Sequence, residues 1–376
     1  MPLSPIIPFL KFWRTSIALD REVVDAVVRD GCNRDQLNDA LELWPGTHYW
    51  STAEGPDRLV LIRALAPAPR EWWWLHIALF VSTFITVWMG GVLFVGSNGP
   101  AMAAADATMW VRMLDWLAGS GPGLGFAVSL VGLLLAHEMG HYVLAARYHI
   151  NASPPFFLPA PPVIAGTLGA FIRLRSPIVD RQQLFDVGAA GPWAGAVISI
   201  GVLVIGLMKS QVFPEMVGVS NQFVSIHNMQ FYLGDSLLMA GLKSLVVGPG
   251  TVALHPLAVA GWCGLFVTML NLFPLGQLDG GHVLFALVGK HQRWIGWLSL
   301  VGLGFLGFYY GRYWWLWGGL ILLLGRGQLA HPSVVEPHRP VPKSRWVLGI
   351  LTILLFVVTF SPDPLPSSGG VVSWVH

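Results

Sequence analysis

Apolar positions in this chain fall in long unbroken blocks, not in alternation or in the one-sided stripe of a surface helix. About 20 consecutive apolar residues cross the ~30 Å core of a bilayer as a helix. Blocks at residues 75–95, 124–148, 187–208 and 254–272 meet or approach that length, and 294–310, 313–324 and 346–360 follow as shorter candidates. Trp72, Trp73 and Trp74 stand just ahead of the first block, where amphipathic rings favour the headgroup level. The pattern predicts an all-α polytopic membrane protein with about six to seven transmembrane helices and a short β-like loop after the second.

The polar stretches divide the rest. Residues 1–70 form an N-terminal region, with helical patterns around 21–29 and 35–43 and a β-like run at 58–64. Residues 97–123 read as a loop with an interfacial helix around 108–117. The proline-rich segment 151–185 holds one strand-like piece, 170–174. Residues 209–250 are a mixed loop without a strand pattern, in which 239–247 is apolar but too short to cross. The expected divisions are the N-terminal region 1–70, a membrane-embedded core 71–325, a linker 326–345 and a last helix with its tail, 346–376.

Composition sharpens this. Hydrophobic residues make up 54% of the chain and charged ones 11%, against about a quarter in soluble domains. A formal charge of +2 with no basic run or stacking motif gives no hint of a nucleic-acid partner, and none is expected. Cys32 and Cys263 are too few for a disulfide framework or a thiolate metal site. The apolar patch at the start is short and broken by Pro5 and Pro8, so no secretory signal is expected there.

The chemistry sits in the second block, as His137-Glu138-Met139-Gly140-His141. Two His four apart share a helix face and can converge on one ion, with Glu138 beside them as a base for an activated water. The pattern fixes only three letters and recurs by chance on ordinary helices. Its setting is what counts: residues 128–136 carry no charge, and ionisable groups in hydrocarbon are costly unless they do something. A third ligand is still needed. Polar groups and backbone breakers return inside apolar sequence at 271–282, where irregular backbone implies a cavity, and Asp279 is the acidic residue there. His282 could orient Asp279 rather than ligate; His76 and His255 read as helix-end residues, and the small residues of 188–195 as packing.

These residues resemble the site-2 protease family, zinc metalloproteases that cut within or beside a transmembrane helix. His137 to His141 matches the first motif; Asn271, Pro274, Leu278, Asp279 and Gly280 match the second. The stretches 159–162, 166–170 and 184–195 look most like the bacterial and plastid branch. The resemblance implies one Zn2+ held by His137, His141 and Asp279, Glu138 as catalytic acid/base, and Asn271 in contact with substrate or intermediate. It implies a transmembrane protein substrate, such as a single-span regulator or a signal-peptide remnant, and a multi-pass protein of a bacterial cell membrane. The 209–250 loop is read as too short for a PDZ domain, and no cystathionine-synthase-like domain follows the core. Lys and Arg near the block ends, among them Arg147, Arg173, Arg181, Lys290 and Arg345, predict a cytoplasmic N-terminus with the zinc near that face.

Two rival functions are a zinc transporter or metal sensor, which wants ionisable groups spread along several helices, and a silent membrane chaperone of the same fold. The collapse of the ionisable set onto one site favours the enzyme. Substrate contact is assigned to Gly166, Gly169 and Phe171: the glycines permit a close backbone approach, and 170–174 is a strand whose ladder an unwound substrate would complete, unless it pairs in a local hairpin. Oligomeric state is not encoded in any pattern here.

Overall fold

The computed structural model of the protein describes residues 3, 5–18, 21–51, 58–64, 71–95, 121–162, 165–175, 178, 180–213, 222–226, 229–325, 327, 329, 331, 334 and 340–366. The interfacial helix expected around 108–117 lies outside these residues. The chain divides into two compact units, Met1–Arg70 and Glu71–His376.

The first unit is a four-stranded antiparallel sheet with one helix. Its strands are β1 (Leu10–Ala18), β2 (Arg21–Val28), β3 (Thr47–Ser51) and β4 (Arg58–Ala64), in the order β1-β2-β4-β3. The helical pattern at 21–29 is corrected: β2 is a strand. Val24, Ala26 and Val28 alternate onto one face and bury against Leu59 and Leu61 of β4 and Leu37 and Leu41 of α1 (Arg34–Glu42). Its paired valines satisfy both a helical and a two-residue period over so short a window, and β-branching tips the balance. An Arg58–Asp25 pair joins β2 and β4 on the opposite face, and an Arg63–Glu22 pair joins them at the end of the core face, where Arg63 lies over the Trp44 ring.

The second unit is built on helices α2 (Trp73–Val95), α3 (Gly121–Arg147), α4 (Arg181–Met208), α5 (Leu237–Val246), α6 (Pro256–Asn271), α7 (Asp279–Val288), α8 (Gln292–Tyr309), α9 (Tyr313–Leu324) and α10 (Lys343–Thr359). Three stretches are long and apolar enough to cross a membrane, Trp73–Val92, Gly123–Arg147 and Arg181–Met208. Helix α4 is central, packing against α3, α6 and α7. Small residues allow this: a Cβ on Gly206 would lie 2.1 Å from Ala258 N, and one on Gly261 2.6 Å from Leu203 N. α4 begins before the apolar block because Asp180 caps it, its side chain accepting from the Gln183 N–H. Arg345 of α10 forks onto Asp186 of α4 at 3.0 and 2.9 Å, and the Trp193 indole donates to Thr352 at 2.9 Å.

The all-α expectation is corrected as well, since the described residues hold ten strands in three sheets. In the loop read as strandless and just after it, β7 (Gln211–Phe213), β8 (Gln222–Ile226), β9 (Met229–Leu233) and β10 (Thr251–Ala253) form a sheet ordered β7-β10-β8-β9. After α3, β5 (Phe156–Pro159) and β6 (Thr167–Phe171) form an antiparallel hairpin, so the expected lone strand has a partner. The pairing continues irregularly: the Ser153 N–H donates to Arg173 O and the Arg175 N–H to Asn151 O. The hairpin is seated on α2, where His76 donates to Pro155 O at 3.2 Å and its ring lies tilted against Phe156, centroids 4.2 Å apart.

Candidate metal centre

Two connections bring the polar groups together. Helix α3 presents His137 and His141 one turn apart with Glu138 beside them. Helix α6 ends at Asn271, and a tight turn over 272–278 leads into α7, whose first residue is Asp279. The turn folds back against the start of α7, which needs a glycine there: a Cβ on Gly280 would lie 1.9 Å from Leu272 O. Helix α4 supplies no donor but supplies the room. A Cβ on Gly191 would lie 2.1 Å from His141 Nε2, and one on Gly195 3.1 Å from His137 Nδ1. The small-residue stretch read as packing therefore packs the imidazoles themselves.

His137 Nε2 and His141 Nε2 are 3.2 Å apart, and Asp279 Oδ2 lies 3.2 Å from the first and 3.4 Å from the second. Tetrahedral zinc with bonds of 2.0–2.1 Å has ligand atoms about 3.3–3.4 Å apart, so the triangle has the size of one face of such a site. His141 Nδ1 donates to Val187 O at 2.7 Å, which fixes the tautomer that leaves the Nε2 lone pair for a metal. Asp279 Oδ2 is buried and, beyond the two imidazole nitrogens beside it, makes no well-formed hydrogen bond among the described residues, a cost that a cation between the three atoms removes. The donor set fits zinc. Glu138 is 6% exposed, with the Ile172 backbone N–H facing its carboxylate, and Asn271 Nδ2 stands 3.2 Å from His137 Nε2.

Residues 125–305 match the peptidase family M50 model. The probable zinc metalloprotease EGY1, chloroplastic, of Arabidopsis thaliana is 34% identical over 258 residues, 66% of this chain and 45% of the relative. The chain belongs to the M50 family, the site-2 proteases. The probable zinc metalloprotease EGY2, chloroplastic, of the same plant is 32% identical over 257 residues, covering 66% and 43% of the two chains. The probable zinc metallopeptidase EGY3, chloroplastic, is 30% identical over 311 residues, covering 79% and 49%. These names place the chain with the plastid-like branch of the family, and the chain spans less than half the length of these relatives. No solved structure matches the chain significantly.

Within this M50 fold the remaining candidates scatter. Gly166, at φ +80°, seats the hairpin on α2: a Cβ there would lie 2.3 Å from Thr86 O, and the Thr86 hydroxyl donates to Gly166 O at 2.6 Å. Gly169, at φ +101°, has nothing within 4 Å of a built Cβ. Phe171 is half-exposed and stacks on Phe156 at 5.3 Å. Among the described residues no hydrogen bond or ring contact joins these three to the donors; the hairpin reaches the site through Ile172, within the 170–174 stretch expected to pair with substrate. His255 is the N-cap of α6. His282 has a partner no motif announces, His331, whose Nε2 lies 2.6 Å from His282 Nδ1.

Proposed function

We propose that this chain is an intramembrane zinc metalloprotease that hydrolyses peptide bonds within or next to a transmembrane helix of a membrane-bound substrate. The observation that carries the proposal is the convergence of His137, His141 and Asp279, with Glu138 beside them, on a helix apolar enough to cross a membrane. Zinc held by those three residues supplies a Lewis acid for the scissile carbonyl and makes water more acidic. Glu138 takes the proton of the attacking water and passes it to the leaving amide nitrogen. The Asn271 amide donates to the carbonyl oxygen as it gains charge. Gly191, Gly195 and Val187 hold the imidazoles so that little reorganisation accompanies the reaction. A transporter would place further ionisable groups along the helices, whereas the described residues hold a single close group of three His, Cys, Asp or Glu donors.

The ligand set is tested by metal analysis. Asp279→Ala is expected to lose zinc and activity together, and His282→Ala to weaken both by about tenfold to a hundredfold without abolishing them, as for a residue behind the ligands. Full zinc in Asp279→Ala alongside complete loss in His282→Ala would reverse the assignment.

A substrate helix must unwind to be cut, because its backbone groups are already paired. Among the described residues strand β6 pairs with β5 alone. Arg173 and Arg175 bond back across the hairpin while Ile172, just ahead of them, faces Glu138, so the edge beside Ile172 suits an extended substrate backbone. Gly169 and Phe171 lie along the same strand. Ile172→Pro removes that N–H and is expected to depress cleavage with zinc retained, while Ile172→Val, which keeps it, stays near wild type. Wild-type cleavage by the proline variant would remove the edge reading. The substrate is taken to be a single-span regulator or a signal-peptide remnant, as the resemblance implies. We further infer six to seven spans and a cytoplasmic N-terminus, on the shorter apolar helices and the placement of Lys and Arg. A bacterial cell membrane is the setting inferred from the resemblance, while the plant relatives' names place those proteins in chloroplasts.

A further inference from the structure

Asp279 is held from behind by a strap of chain beyond the family match, which ends at residue 305. In this strap Leu329 and His331 are tied to the 272–278 turn through backbone and through one side chain. The Gly276 N–H donates to Leu329 O at 3.2 Å. Gln292, at the start of α8 and 1% exposed, donates from Nε2 to Pro274 O and to Leu329 O, each at 3.2 Å. Its Oε1 accepts from the His331 N–H at 3.1 Å. One buried amide thus ties turn and strap together. Gly296, one helical turn further on, keeps the space open: a Cβ there would touch Leu329 O and Pro274 O, both at 3.4 Å.

From the strap, His331 reaches back to α7. Its ring packs on Phe285 with centroids 4.7 Å apart, and its Nε2 lies 2.6 Å from His282 Nδ1. His282 stands one turn after Asp279 and is wedged against α4, where a Cβ on Gly188 would lie 2.7 Å from the His282 Cβ. A buried glutamine in apolar surroundings costs stability unless its amide is paired, and all three of these contacts go to backbone groups of the turn and the strap. The helix carrying the third donor is therefore clamped at its entry by Gln292 and along its face by His331.

We propose that Gln292 and His331 are positioning residues for Asp279, clamping the strap onto the turn and α7 so that the carboxylate meets the two imidazoles. This rests on the metal reading of His137, His141 and Asp279. Metal sites tolerate little slack in a donor, and groups that orient ligands are typically worth tenfold to a hundredfold in metal affinity. Because His331 lies outside the matched family segment, the clamp draws on this chain's own C-terminal part.

The test uses the purified full chain, zinc affinity by chelator competition and the visible absorption of the cobalt-substituted protein, neither of which needs a protein substrate. Gln292→Leu and His331→Phe, the latter keeping a ring against Phe285, are each expected to weaken zinc about tenfold to a hundredfold and to alter the cobalt spectrum. The double variant should be little worse than the poorer single one, since both act through one strap. His331→Gln, which restores a polar side chain, should recover part of the loss. If Gln292→Leu does not fold, His331→Phe decides alone. Wild-type affinity and spectrum in folded His331→Phe, with zinc lost in His137→Ala, overturn the clamp only. Unchanged zinc in His137→Ala overturns the metal reading and the clamp with it.

Discussion

Glu138→Gln is expected to hold its full complement of zinc and to cleave nothing measurable. The amide has the size and shape of the carboxylate and can still face the Ile172 N–H, so the local packing of α3 survives. It cannot take a proton from water. Positioned acid–base groups contribute about 10²–10⁴ in rate, and a residue serving both proton steps lies at the upper end of that range. Metal analysis of the purified variant checks the first half. For the second, membrane-fraction proteomics comparing native protein with the variant reads out uncut substrates, and so also identifies them. Turnover near wild type with zinc in place would move the base elsewhere or remove the protease reading.

How much of this is legible in the sequence depends on the range of each interaction. His137 and His141 are visible because helical spacing alone makes them neighbours, and Asp279 because an acid inside an apolar run demands a partner. Helix α9 spans residues 313–324 as its apolar block does, since hydropathy is the signal both for the segment and for its burial. The strands of 211–253 escape because each has three to five residues, too few for a two-residue period to stand out. At 21–29 the paired valines fit either period, and β-branching and the neighbouring strands together decide. His331 cannot be found locally at all. It lies 49 residues from His282 in a linker without pattern, and only folding joins them.

The glycines of α4 show the same limit with a larger consequence. By helix propensity alone Gly191→Ala should stabilise, since alanine is favoured over glycine by about 1 kcal/mol in a helix interior. Here the new Cβ would fall 2.1 Å from His141 Nε2 and 2.5 Å from both adjoining ring carbons, inside the imidazole's own volume. The ring has little freedom to escape. Its Nδ1 is bonded to Val187 O, one turn earlier on the same helix, so moving away from residue 191 breaks the bond that sets the tautomer. It also pulls Nε2 off the Asp279 carboxylate. Gly191→Ala is therefore expected to fold and to lose zinc and proteolysis together, with affinity down by more than the roughly tenfold to hundredfold of an orienting group, because a ligand itself is displaced. Gly201→Ala is the matched control: it lies on the same helix with nothing within 4 Å of a built Cβ, and zinc binding should not change. Chelator competition on both variants decides it. Equal zinc affinity in the two would mean that α4 does not wall the metal centre, and the close approach of α3 and α4 would then have packing as its whole purpose.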